Sequence, residues 1–406
     1  MLVKRVIPAL AAIGSAAAQS RTCTVSTTTI HSQADATGLS GCRTVSGSIV
    51  LAEDAAGAIS LSGPEEITGD LQILNNGALE TLQSSSLETI GGEFKMNNVT
   101  KLISLDFSEL ESVGSLSWTS VTNLQTATFG PLTKADQVII SDTFLNTLEG
   151  IDLSTVRLLD INNNRLLSTF TSKLGSLSEN LNIQANGLSL NVSLPNLIWI
   201  ANMTIANVTD FQVPSLEIVN GSARFDSNYF STFSAPNLTE TSSGDISFVG
   251  NSNLDNLTFP VLTKIGGGLL IANNTALEKM TAFPELESVG GAVKLRGSFK
   301  EVAFPKLDIV EGAFDVASTE DINSSCDTLG KLAPSSQGGE GKVKGTYACT
   351  SKVADANDDT SSGGSSSGGS GSDSSDGGNN DNGAAGLVLN TALFGLVAVA
   401  AVASAL

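Results

Sequence analysis

A motif returns every 19 to 24 residues between about Pro64 and Ala317, and this constrains the chain more than any other property. One clear copy runs from Leu262 through Ile265, the glycines 266–268, Leu269, Ile271, Asn274 and Leu277 to Pro284 and Leu286, where the next begins. A period in this range belongs to solenoids, whose units have no core of their own and acquire one by stacking. Starts fall at Leu87, Leu110, Leu132, Val156, Leu177, Leu197, Leu216, Leu238, Leu262, Leu286 and Leu307, which predicts about eleven coils. Three positions later stands a second apolar residue such as Ile90, Ile200 or Val289.

An alternating pair follows, as in Phe94/Met96, Leu181/Ile183 and Leu269/Ile271. Alternation over so short a run reads as a strand with one buried face. Three residues beyond the pair, asparagine recurs at Asn76, Asn164, Asn186, Asn228, Asn251 and Asn274. An amide both donates and accepts, so it suits an interior turn, and stacked coils would align these side chains as a structural ladder. The recurring Phe-Pro of Phe259-Pro260 and Phe283-Pro284 rules out a helix leading into the next leucine. The expected fold is therefore all-β, a leucine-rich β-solenoid with several short strands per turn.

Both ends carry processing signals. Residues 1–18 combine Lys4 and Arg5, an apolar stretch from Val6 to Ile13 and Ala16-Ala17-Ala18, the layout of a secretory signal peptide. Residues 384–406 end the sequence as an apolar run with no basic flank after it. With Asn382-Gly383-Ala384 upstream, this reads as a GPI-attachment propeptide, attached at Asn382 or Gly383. Residues 351–383, rich in Ser, Gly, Asp and Asn, form an expected disordered stalk.

Secretion makes disulfides the expected state. The four cysteines fall as two local pairs flanking the array, Cys23/Cys42 in an N-terminal cap (19–63) and Cys326/Cys349 in a C-terminal cap (318–350). Three connectivities are possible, and local pairing is expected. Nine Asn-x-Ser/Thr sequons are candidates for N-glycosylation: Asn98, Asn191, Asn202, Asn207, Asn220, Asn237, Asn256, Asn273 and Asn323. No ladder asparagine lies in a sequon, whereas Asn98, Asn207 and Asn273 sit one position before the ladder position of their units. The expectation is a bare, buried ladder beside an exposed, sugar-bearing neighbour.

The chemistry on offer is sparse. Net charge is −20, which disfavours nucleic acid as a partner. His31 is the single histidine and lies outside the array, so Ser-His-Asp and Cys-His catalysis lack a base. Two carboxylates would suffice for glycan hydrolysis or transfer. Most acids are periodic, however: Glu88, Glu111, Glu217 and Glu287 each follow the repeat leucine, the mark of a solvated edge. Aromatics are 5% of the chain, so a mostly aliphatic core is expected, with Trp118 inside it and Trp199 turned outward. No catalytic, cofactor-binding or metal-binding residue is assigned.

Signal peptide, cysteine-capped repeats such as Leu262-Thr-Lys-Ile265-Gly-Gly-Gly-Leu269-Leu-Ile271, the closing Thr346-Tyr347-Ala348-Cys349, the stalk and the GPI signal follow in order. This sequence resembles the fungal GPI-anchored cell-wall organisation proteins with receptor-L-domain-like repeats, the extracellular-mutant and sporulation-specific family. The resemblance implies a right-handed parallel β-helix, a GPI lipid anchor in the outer leaflet, and residence on the plasma membrane or in the wall. It implies a non-enzymatic role in wall integrity, with wall glucan or wall proteins as partners. Two alternatives remain: a receptor-like module binding wall glycan or a secreted protein, and a wall-remodelling transglycosidase.

Overall fold

The computed structural model describes residues 22–358. It is a parallel β-solenoid of about 14 turns, and every strand pairing in it is parallel. One 21-stranded sheet runs the length of the molecule. At about 4.8 Å per coil the rod is on the order of 65 Å long. Shorter strands make a second face, from the four-stranded sheet containing Ser104–Phe107 and Thr126–Phe129 to the final pair Lys279–Met280 and Glu301–Val302.

The coil count exceeds the expected eleven because the flanking segments also contribute rungs. Thr22–Ile30 pairs with Thr44–Leu51, which pairs with Leu71–Leu74, and Tyr347–Thr350 pairs with Phe314–Ser318. These segments lack the leucine-to-asparagine motif, so periodicity alone does not reveal them. The two α-helices among the described residues, Gln33–Gly38 and Asn323–Leu329, lie near the ends. The disulfides join Cys23 to Cys42 and Cys326 to Cys349, with Cα–Cα distances of 5.6 and 5.5 Å.

Two expected repeat starts are displaced. Val156 pairs with Leu177, and Leu177 with Ile200, so both occupy the second apolar position rather than the leading leucine. The buried leucines three residues earlier, Leu153 and Leu174, hold the leading place. After Leu177 the strand has one residue more before its alternating pair than either neighbouring strand, which shifts the register and hides the phase.

The alternating pairs and leading leucines form one continuous core. Its C-terminal half is more aromatic than 5% suggests, because the rings sit in adjacent coils. Phe225 stacks on Phe248 at 4.4 Å, Phe259 on Phe283 at 5.0 Å, and Phe314 on Tyr347 at 5.6 Å. Trp118 is fully buried between Phe94 and Phe129, while Trp199 is half-buried.

The glycine bends have a packing cause. A Cβ on Gly290 would lie 2.2 Å from the Gly266 carbonyl oxygen, and one on Gly266 2.3 Å from that of Ser242. Only a hydrogen atom fits between successive coils at this bend.

The chain stays on the rod through its last described residues. Val353 N–H donates to Ser318 O at 2.8 Å, the Asn357 side-chain amide donates to Ser298 Oγ at 2.9 Å, and Ala356 is buried. The expected signal peptide, the propeptide with Asn382 and Gly383, and the stalk beyond residue 358 lie outside the described residues.

Candidate functional site

The corner after each main strand is where structural and modifiable side chains meet. Its first residue takes a left-handed conformation in successive coils: Asn75, Asn98, Asn163, Asn207 and Asn273 all have φ between 52° and 59°. Asparagine tolerates this region better than most L-residues. The next residue turns inward. Asn76, Asn164, Asn186, Asn228, Asn251 and Asn274 are at most 6% exposed.

Their amides form three separate groups instead of one row. Asn76 stands alone, donating to Ala52 O and Ala55 O and accepting from the backbone of Ala78 and Leu79. Thr143 Oγ1 donates to Asn164 Oδ1 at 2.6 Å, and Asn164 Nδ2 donates to Asn186 Oδ1 at 3.1 Å. Asn228 Nδ2 donates to Asn251 Oδ1 and Asn251 Nδ2 to Asn274 Oδ1, both at 3.0 Å. Each amide of this last run also donates to a main-chain carbonyl, as Asn251 does to Phe225 O at 2.9 Å. Buried Val99, Val121 and Val208 interrupt the series.

None of the nine sequon asparagines is buried. Asn98, Asn191, Asn202, Asn220, Asn237, Asn256 and Asn323 are exposed, and Asn207 and Asn273 are half-buried. Some of their amides are engaged. Asn98 Nδ2 donates to Asn75 Oδ1 at 3.1 Å, and Asn202 both donates to Glu179 O and accepts from Ser222 N–H at 3.0 Å.

Titratable groups offer two unusual carboxylates, which the sequence reading passed over. Asp226 faces outward from Ala223–Asp226, in register between Ala206 and Val249, with Ala272 one coil further. Burial in this apolar row raises its pKa, with Arg224 opposing. Burial also raises that of Asp245, against the Gly268 N–H donated to its Oδ1 at 2.7 Å and against Arg224. Only the register reveals the neighbours of Asp226, so no sequence signal marks it. Asp245 instead resembles Asp70, whose Oδ1 accepts from Glu93 N–H at the same bend of another coil. His31, with Nδ1 2.8 Å from Asp54 Oδ1, is exposed near the N-terminal end. Among the described residues no cluster of His, Cys, Asp or Glu is arranged to hold a metal. Nor is any helix there long and apolar enough to cross a membrane.

On the second face, a groove of about 230 Å³ lies between two adjacent coils. Exposed Thr147, Glu149, Thr169 and Thr171 line it, over buried Leu148 and Phe170. It marks a break in the face. The sheet ending at Thr126–Phe129 stops here, the one beginning at Thr169–Thr171 starts, and the coil of Thr147 between them joins only the second, through a single bridge to Thr169.

Fold and corner together define a disulfide-bearing, leucine-rich parallel β-solenoid with sequon asparagines beside a buried amide series. Residues 1–40 match the model of a family described as Ecm33, GPI-anchored cell wall organization protein. The chain is 38% identical to "Protein ecm33" of Aspergillus fumigatus over 88% of its own length and 87% of that protein's. It is 36% identical to a "Cell surface GPI-anchored protein" of Arthroderma benhamiae, over 80% and 82% of the two chains. With "Cell surface GPI-anchored protein ECM33" of Candida albicans it shares 32% identity over 85% and 83%. No solved structure matches. The chain belongs to the Ecm33 family of GPI-anchored cell wall organization proteins.

Proposed function

We propose that this protein supports cell-wall organisation from the outer face of the plasma membrane and the wall, as an N-glycosylated scaffold without catalytic activity. The observation that carries this reading is the extent of the similarity: 88% of the chain aligns with one wall-protein relative, so the likeness spans the rod and is not confined to one pocket. The names of these relatives describe wall and surface proteins and contain no enzymatic term. A GPI lipid attached at Asn382 or Gly383 would tether the rod, and residues 359–383 would set its reach.

Deleting the gene should sensitise cells to wall stress, and the full-length chain should restore resistance. A version lacking residues 384–406 separates the anchor's role from the rod's. Unchanged wall-stress resistance after deletion would count against the proposal. A transglycosidase reading would replace it if the purified protein remodelled β-glucan oligosaccharides and lost that activity on substitution of Asp226 or Asp245.

Sugar is expected at the outward corner asparagines and not at their inward neighbours. Glycopeptide mapping should find a glycan on Asn273 and none on Asn274; the reverse would overturn the two-position reading of the corner.

A further inference from the structure

The nine sequons are unevenly placed. Seven fall between Asn191 and Asn273, yet residues 99–190 contain none. Four coils of the rod are therefore left without an acceptor for N-linked sugar. This stretch also carries the groove at Thr147 and Thr169, and the large apolar side chains Leu166 and Leu188, exposed at 51% and 78%.

Within this stretch the second face repeats one chemistry. Outward positions of successive coils are Thr126 and Thr128, then Thr147 and Glu149, then Thr169 and Thr171, all exposed. Thr126 stands in register with Ser104, and Thr169 with both Thr147 and Asn191. The result is a row of hydroxyls, Ser104 and Thr126 on one side of the break and Thr147 and Thr169 on the other, ending at the Asn191 amide, with Thr128, Glu149 and Thr171 beside it; the coil spacing is about 4.8 Å. The short strands of this face from Thr126 to Thr258 contain no lysine or arginine, and exposed Lys173, two residues beyond Thr171, is paired with Asp152.

We propose that this face is a binding track for a neutral, linear polysaccharide lying along the rod, seated at the Thr147–Thr171 groove. Evenly spaced hydroxyls match a ligand that presents hydroxyls at regular intervals. The Glu149 carboxylate adds a charged acceptor, whose hydrogen bonds are stronger than neutral ones. With its nearest cation, Lys173, already paired to Asp152 at 2.6 Å, the face offers little to an anionic polymer. The protein's own sugar meets the track only at its C-terminal edge, where Asn191 stands in register with Thr169. The proposal deepens the wall-association reading above and rests on it.

The test is co-sedimentation of the full-length glycoprotein, made in a fungal host, with insoluble β-1,3-glucan and, separately, with chitin particles. Wild type should sediment with one of the two, and the two arms identify the polymer. The combined Thr147→Val, Thr169→Val and Thr171→Val variant keeps side-chain shape and strand preference. It should bind at least tenfold more weakly while melting as wild type does. Thr169→Asn completes a sequon with Thr171, and a glycan there should abolish binding. Thr119→Val, on the main sheet, should leave binding unchanged.

Wild type that sediments with neither polymer overturns the track, as does undiminished binding by the triple variant. Those results leave the deletion phenotype standing. Loss of the wall-stress phenotype would strike the proposed function and leave the sedimentation result intact.

Discussion

Asn251 shows how much one side chain can do in a stacked fold. Its Oδ1 accepts from both the main chain and the amide of Asn228, and its Nδ2 serves both Phe225 O and Asn274 Oδ1. Removing it leaves buried donors and an acceptor unpaired, at roughly 1–3 kcal/mol for each group that water cannot reach. Asn251→Ala should therefore destabilise the rod by about 3 kcal/mol or more in denaturant unfolding. Asn251→Val should cost nearly as much. Valine is native at Val99, Val121 and Val208, but the amides one coil toward the N-terminus of Val99 and Val208, Asn76 and Asn186, donate to main-chain carbonyls and not to that position. A loss under 1 kcal/mol in either variant would mean that the amide series is dispensable.

Asp226 works in the opposite direction. Burial raises its folded pKa above the ordinary 3.8, so the folded state holds the proton more tightly than the unfolded chain does. The stability contributed is fully present below 3.8 and is lost as pH rises through the raised value. Asp226→Asn should thus melt higher than wild type at pH 7, and the gap should close as pH falls toward 3.8. Asp321, held low chiefly by the hydrogen bond from Lys352, has the contrary dependence, but it is common to both proteins and cancels in the difference. A variant less stable than wild type at pH 7 would show that the carboxylate has a favourable partner.

At the scale of the strand and bend, the glycine stack sets the coil spacing. Gly290→Ala puts a methyl group against the Gly266 carbonyl, where the backbone must move to admit it. Overpacking of this sort costs about 1–3 kcal/mol. The melting temperature should fall, whereas Gly38→Ala, with open space around the Cβ, should change it little. Equal melting of the two variants would refute the close-approach argument.

The strands themselves were largely legible. Phe94/Met96 and Leu181/Ile183 alternate because a half-buried strand requires it, and all four are fully buried. Phase was harder to read. Leu174 and Leu177 are both leucines three apart, and a leucine carries no mark of which bend it precedes. The terminal rungs were harder still, since Thr22–Ile30 alternates exposed and half-buried residues and reads as a surface segment. The groove was hidden for another reason: Thr147 and Thr169 are ordinary strand residues until the sheet on one side of them ends.

For the whole molecule, the stacking order has a consequence at the two ends. Among the described residues, the first and last rungs, Thr22–Ile30 and Tyr347–Thr350, each pair with one neighbour. Cys23 lies in the first of these and Cys349 in the last, so each disulfide ties a terminal rung to its own body. Opening either bridge releases a strand whose departure bares the hydrogen-bonding row of the rung behind it, a template on which another strand can add. Mild reduction should accordingly turn separate particles into growing filaments, visible by electron microscopy, with Cys349→Ser forming them even without reductant. Particles that stay single would show that the terminal helices suffice as caps. If filaments form, oxidation is what keeps each rod from becoming the seed of a fibre.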